Sequence, residues 1–124
     1  DVKARPGGGW DVYVNGGRVN TGKDALEWAA EGVRRGAGEI LLTSMDTDGV
    51  GDGFALDVIR AIADIVPVPV IASGGAGCIQ DFVTLFNEIP AIDAGLAASI
   101  FHFGEVKISD LKETLDKEGI VVRK

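Results

Sequence analysis

Residues 68–77 read Val-Pro-Val-Ile-Ala-Ser-Gly-Gly-Ala-Gly. An apolar run of strand character ends at Ser73 and gives way to Gly74, Gly75 and Gly77. Such a continuous apolar run is how a strand covered on both faces of a parallel sheet reads. Glycine lets backbone N–H groups approach a ligand with no Cβ between them. A helical pattern resumes at Ile79, and a helix N-terminus beyond a glycine loop favours an anion. Together these features predict a phosphate cradle at the carboxyl end of a strand.

The same order of strand, polar loop and helix recurs on either side. Upstream, Glu-Ile-Leu-Leu-Thr at 39–43 reads as a short buried strand, followed by a polar, glycine-rich loop over 44–53. The spacing then predicts a helix over 55–66, turning Leu56, Ile59, Ile62 and Ala63 toward a core. The helix after Gly77 carries Ile79, Phe82, Val83 and Phe86 on its apolar face. Downstream, 94–98 reads as a third strand and 99–104 as a loop. Ser109 is expected to cap a last helix, with Leu111 and Leu115 inward and Gly119 ending it. Residues 121–124 read as a tail.

The start of the chain differs. Residues 1–9 read as irregular, and 10–14 alternate in the manner of a strand. Asn15-Gly16-Gly17 is a hairpin signal, returning through 18–20. Thr21 is expected to cap a helix reaching Arg35, with Leu26, Ala29, Ala30 and Val33 on its apolar face.

Strands alternating with helices through short connections imply parallel strands and right-handed crossovers. Ligand sites at the carboxyl ends of strands suit a dinucleotide-binding sheet or a β/α barrel. The Gly-x-Gly-x-x-Gly helix opening of the former is absent from the sequence. A full barrel needs eight strands and about 250 residues, twice what the 124 residues here supply. The expected fold is therefore α/β, a (βα) half-barrel of parallel strands. It occupies 1–124 as a single domain, incomplete relative to the closed barrel.

Composition narrows the function. A net charge of -7 argues against nucleic acid or an anionic membrane, since both demand clustered Lys and Arg. Phosphate remains possible, because backbone amides bind it whatever the net charge. One cysteine, Cys78, cannot form an internal disulfide and suits a reducing compartment. The expectation is a soluble, cytoplasmic domain.

With these stretches in hand, the chain resembles the carboxyl-terminal half of the cyclase subunit of imidazole glycerol phosphate synthase, of the histidine pathway. The resemblance rests on Gly-Ala-Gly-Glu-Ile-Leu-Leu-Thr-Ser at 36–44, Asp-Thr-Asp-Gly at 46–49, and Ile-Ala-Ser-Gly-Gly-Ala-Gly at 71–77. Leu-Ala-Ala-Ser-Ile-Phe-His-Phe at 96–103 is its most specific part. It implies a β/α barrel whose halves each bind one phosphate of a bisphosphorylated ribotide. The reaction joins ammonia to phosphoribulosyl-formimino aminoimidazole carboxamide ribotide. Imidazole glycerol phosphate and aminoimidazole carboxamide ribotide are released. Ammonia would come from a glutaminase partner on the opposite barrel face, with no metal or organic cofactor.

Resemblance assigns roles that the residues alone leave open. Asp1 and Asp48 become acid/base carboxylates, although Asp48-Gly49 by itself reads as a turn. Asp46 supports the Asp48 loop. Thr43 and Ser73 face the polar middle of the substrate, where strand-end hydroxyls otherwise cap backbone groups. Amides of Gly49, Gly75, Ala98 and Ser99, with the Ser99 hydroxyl, bind phosphate; the plainer reading gives the glycines to tight packing. Glu39 belongs to a charged gate on the ammonia route. His102, flanked by Phe101 and Phe103, reads as a packed or surface residue, and Trp10 and Trp28 as packing residues.

Two other functions stay open. Three parallel strands cannot close, so the chain can be a non-catalytic, phosphate-binding half-barrel that self-associates or pairs with an amino-terminal half. The sister isomerase of the same pathway is the third reading.

Overall fold

The computed structural model describes residues 1–123; Lys124, the end of the expected tail, lies outside them. Three parallel strands form the sheet at the centre: β4 (Ile40–Thr43), β5 (Val70–Ser73) and β6 (Ala94–Leu96), paired in that order. Helices α2 (Leu56–Ala63), α3 (Ile79–Glu88) and the short α4 (Ser99–His102) follow β4, β5 and β6 in turn, and α5 (Ile108–Lys117) comes last. This is the α/β half-barrel architecture anticipated above, with parallel strands and helices between them.

Register explains which side chains go where. Leu42 pairs with Ala72 and Ala72 with Gly95; Leu42 and Ala72, with Ile40 and Val70 on the same face, pack against the helices. Gly95 is required there, because a Cβ would stand 3.0 Å from the Phe82 ring. Phe82 is almost fully buried and meets Phe54 edge-to-face at 5.2 Å. Ile59, Ile62, Leu85 and Val58 complete this layer, each contributing about 1.5–3 kcal/mol by leaving water. On the other face, Thr43, Ser73 and Leu96 form one cross-strand row. Leu41 (57% exposed) and Leu96 (42%) remain in solvent on that face.

The start of the chain corrects the irregular reading. Val2–Ala4 is a strand, β1, antiparallel to β2 (Trp10–Val14), which pairs in turn with β3 (Val19–Asp24). Val2 also bridges Ser44 in parallel, and Met45 N donates to Val2 O at 2.9 Å. β1 is thus joined to the residues just after β4 on one edge and paired with the hairpin on the other. Among the described residues the two three-stranded sheets meet only at this point, and β4 and β6 are the outer strands of the parallel sheet.

Caps differ too. The strand β3 runs through Thr21, whose hydroxyl donates to Val12 O at 2.7 Å. Asp24 opens α1 (Ala25–Arg34) instead, accepting from Leu26 N at 3.0 Å and Glu27 N at 3.2 Å. Lys107, not Ser109, precedes α5. Its end is as expected: Gly119 sits at φ +77° while Ile120 N reaches back to Leu115 O at 2.9 Å, a Schellman closure.

Candidate functional site

The loops after β4 and β5 are stitched together. Ser44, buried at the end of β4, donates its amide to Ser73 O at 3.1 Å and accepts from Asp48 N at 3.0 Å. The Thr47 hydroxyl donates to Gly74 O at 3.1 Å, and Gly53 N to Gly75 O at 2.9 Å. Gly74 and Gly75 hold φ of +92° and +106°. A Cβ on Gly74 would lie 2.7 Å from Ser44 O, and one on Gly75 2.8 Å from Thr47 Cβ. The two glycines therefore pack the loop after β5 against the loop after β4.

Their amides are a separate matter. Gly75 is buried, yet its N–H donates to no acceptor among the described residues. The amides of Gly49, Ala98 and Ser99 also have no acceptor among the described residues, although these three residues are exposed and open to water. A buried N–H without an acceptor costs about 1–3 kcal/mol, which a ligand or water oxygen would recover.

These amides border one groove of about 670 Å³, whose walls include Thr43, Asp48, Gly49, Ser73, Gly75, Ala98 and Ser99. Among the described residues no Lys, Arg or His lines it, while Asp48 and Glu105 do, and neither of these carboxylates has an ion-pair partner there. An anion in this groove would be held by backbone N–H groups and hydroxyls rather than by cations. Thr43 and Ser73 stand side by side in the strand register, so their hydroxyls project from one row at the groove floor.

Asp1 and Glu39 lie elsewhere. Both border a second cavity of about 270 Å³ with Trp28 and Ile62, so Asp1 and Asp48 are not brought into one cavity here. Asp1 alternates with the buried Val2, which puts its side chain on the face of β1 opposite Val2.

Part of the entry to α3 is engaged within the chain: Asp81 Oδ2 accepts from Gly77 N at 2.7 Å and Cys78 N at 3.0 Å. An acid three residues into a helix is the signal that could have shown this. The start of α4, a segment read above as loop, is a short helix that borders the groove. Val50 and Phe103, which sequence reasoning also passed over, form exposed apolar parts of the groove wall.

Other residues fall away from the groove. His102 is exposed and meets Phe103 edge-to-face at 5.0 Å. Cys78 is free and exposed. Trp28 is partly exposed beneath Lys23 Nζ, 3.7 Å from its ring centre. Among the described residues there is no group of three or more His, Cys, Asp or Glu placed to hold a metal ion. None of the described helices is long and apolar enough to cross a membrane.

Residues 1–107 match the family model described as "Histidine biosynthesis protein". The imidazole glycerol phosphate synthase subunit HisF of Streptococcus mutans serotype c is 52% identical over 123 residues, 99% of this chain and 49% of that protein. The HisF subunit of Clostridium beijerinckii is 52% identical over 93% of this chain and 45% of its own length. That of Leuconostoc mesenteroides is 57% identical over 90% and 44% respectively. The chain spans about half the length of the curated relatives it matches.

Proposed function

The chain belongs to the histidine biosynthesis protein family, and from that premise we propose that it forms the carboxyl-terminal half of a cyclase of the imidazole glycerol phosphate synthase type. The groove takes one phosphate of the bisphosphorylated ribotide. The observation carrying this reading is the pair of amides at Gly75 and Ser99, without acceptors among the described residues and on two adjacent loops of a groove to which no described residue brings a cation. Hydrogen bonds from such amides to a charged phosphate contribute about 1.5–3 kcal/mol each. Gly49 and Ala98 supply further amides, and the Ser99 hydroxyl a side-chain donor.

Past the phosphate, Thr43 and Ser73 hydroxyls face the polar middle of the substrate. Asp48, unpaired on the groove wall, accepts the proton released as the ammonia nitrogen bonds to the substrate, and returns one at cleavage. Asp1 is the second carboxylate of this chain, and completes its task beside the amino-terminal half. Glu39, at the amino end of β4, guards ammonia entry from a glutaminase partner. The synthase name and 52–57% identity of the relatives favour this over the sister isomerase.

A turnover assay with ammonium salts tests the proposal. Activity that appears only when an amino-terminal half-barrel is added supports it. A chain that forms no imidazole glycerol phosphate with that half, while folded and bound to it, contradicts it.

A second reading concerns the chain by itself. Leu41 and Leu96 are exposed on the open face of the sheet, and β6 has a free edge. Exposed apolar faces and unpaired edges drive association, so the isolated half-barrel pairs with a second copy when its natural complement is missing.

A further inference from the structure

Asp81 places a negative charge one hydrogen bond behind the groove wall. Its carboxylate holds the amide of Gly77 at 2.7 Å, and Gly77 itself lines the groove. The other oxygen, Oδ1, turns toward the loop after β4, 3.5 Å from where a Cβ of Gly53 would stand. No cation among the described residues pairs with it. A helix N-terminus carries roughly half a positive charge, which a carboxylate in the first turn offsets. A ligand entering the groove therefore meets the amides of Gly75 and Ser99 but a neutralised α3.

Resting on the phosphate reading above, we propose that Asp81 is a specificity-determining positioning residue that acts as a built-in anion. It reserves the Gly77 and Cys78 amides at the entry to α3 for the chain's own use. It also lessens the groove's preference for a dianion over a monoanion, because its charge opposes the second negative charge of the ligand.

Inorganic phosphate is the probe, titrated into the wild-type chain, Asp81→Asn and Asp81→Ala, with amide NMR shifts read at Gly75, Gly77 and Ser99. Titrations are run at about pH 5.5 and about pH 8, on either side of the second phosphate ionisation. Asparagine keeps an oxygen for the Gly77 and Cys78 amides but carries no charge. Its phosphate affinity should rise about threefold at the higher pH and by less at the lower, with shifts at the same amides. In Asp81→Ala the Gly77 amide should join the shifting set; if that variant does not fold, the Asn comparison decides. Wild-type affinity in Asp81→Asn at both pH values means that Asp81 only caps α3, and overturns this proposal while the phosphate reading stands. Absence of shifts at Gly75 and Ser99 in every variant overturns both.

Discussion

Gly53 donates its amide to the carbonyl of Gly75 at 2.9 Å, and the Gly75 Cα faces that same segment with no room for a methyl group. The contact joins the loop carrying Asp48 to the loop carrying the unpartnered Gly75 amide. Gly75 thus has its carbonyl and Cα committed to the loop pair, while its N–H has no acceptor among the described residues.

Gly75→Ala should therefore damage the fold as well as the site. The new Cβ would meet Gly53 O and Thr47 at a φ of +106°, a conformation costly for any L side chain. A loss of about 2 kcal/mol or more is expected, read as a lower urea midpoint. An unchanged midpoint would show that the two loops yield easily.

Ser99→Ala separates hydroxyl from amide. The substitution removes one donor at the start of α4 and keeps the backbone N–H. Phosphate affinity should fall by about threefold to tenfold, the size of one net hydrogen bond, with the thermal midpoint kept. Unaltered affinity would remove the hydroxyl from the site.

Asp24 makes acid stability testable. The Glu27 amide, foremost, and then the Arg5 guanidinium at 2.7 Å hold its carboxyl below the ordinary value of 3.8, against the opposing effect of burial. A carboxylate whose pKa is lowered by folding stabilises the fold above its unfolded value. That contribution is lost as pH falls below 3.8 through the lowered value. Asp24→Ala should cost about 1 kcal/mol at neutral pH. Urea midpoints of the wild type and variant should converge in strong acid; a gap that persists there would contradict the assignment.

Asp46 ties the hairpin to the site loop. Its Oδ2 accepts from Ala4 N at 2.7 Å, adding one side-chain bond to the contact of β1 with Ser44 and Met45. Asp46→Ala should speed amide exchange at Ala4 and lower stability by about 1 kcal/mol. Slow exchange in the variant would show that the Met45–Val2 bond suffices.

What was legible in the sequence follows from periodicity. β4, β5, β6 and the helices between them are long or apolar enough to declare themselves, and so is the glycine loop of Gly74, Gly75 and Gly77 after β5; Thr43, Asp48, Ser73 and Ser99 were singled out by the family resemblance, since their types alone read as turn or capping residues. β1 was missed because three residues before Pro6 and a glycine triplet carry no period. Val58 was missed because the predicted helix face was set one position away. Thr21 and Ser109 look like caps by residue type, yet Thr21 is committed to Val12 across the hairpin, a long-range partner that local pattern cannot reveal. The packing role of Gly74 and Gly77 was open for the same reason: the atoms they would strike belong to the loop after β4.

Leu41→Lys tests the open sheet face. Light scattering should find the wild-type chain associated and the variant shifted toward monomer, since a buried lysine in such a contact is costly. A monomeric wild-type chain would contradict the association.

Hydrogen exchange of the wild-type chain, with and without saturating phosphate at constant ionic strength, bears most directly on the anion site. Protection is predicted at Gly75 and Ser99 together, with little change at Gly77, whose amide Asp81 already holds. Protection of neither amide, with the fold intact, would contradict the assignment of this groove to phosphate.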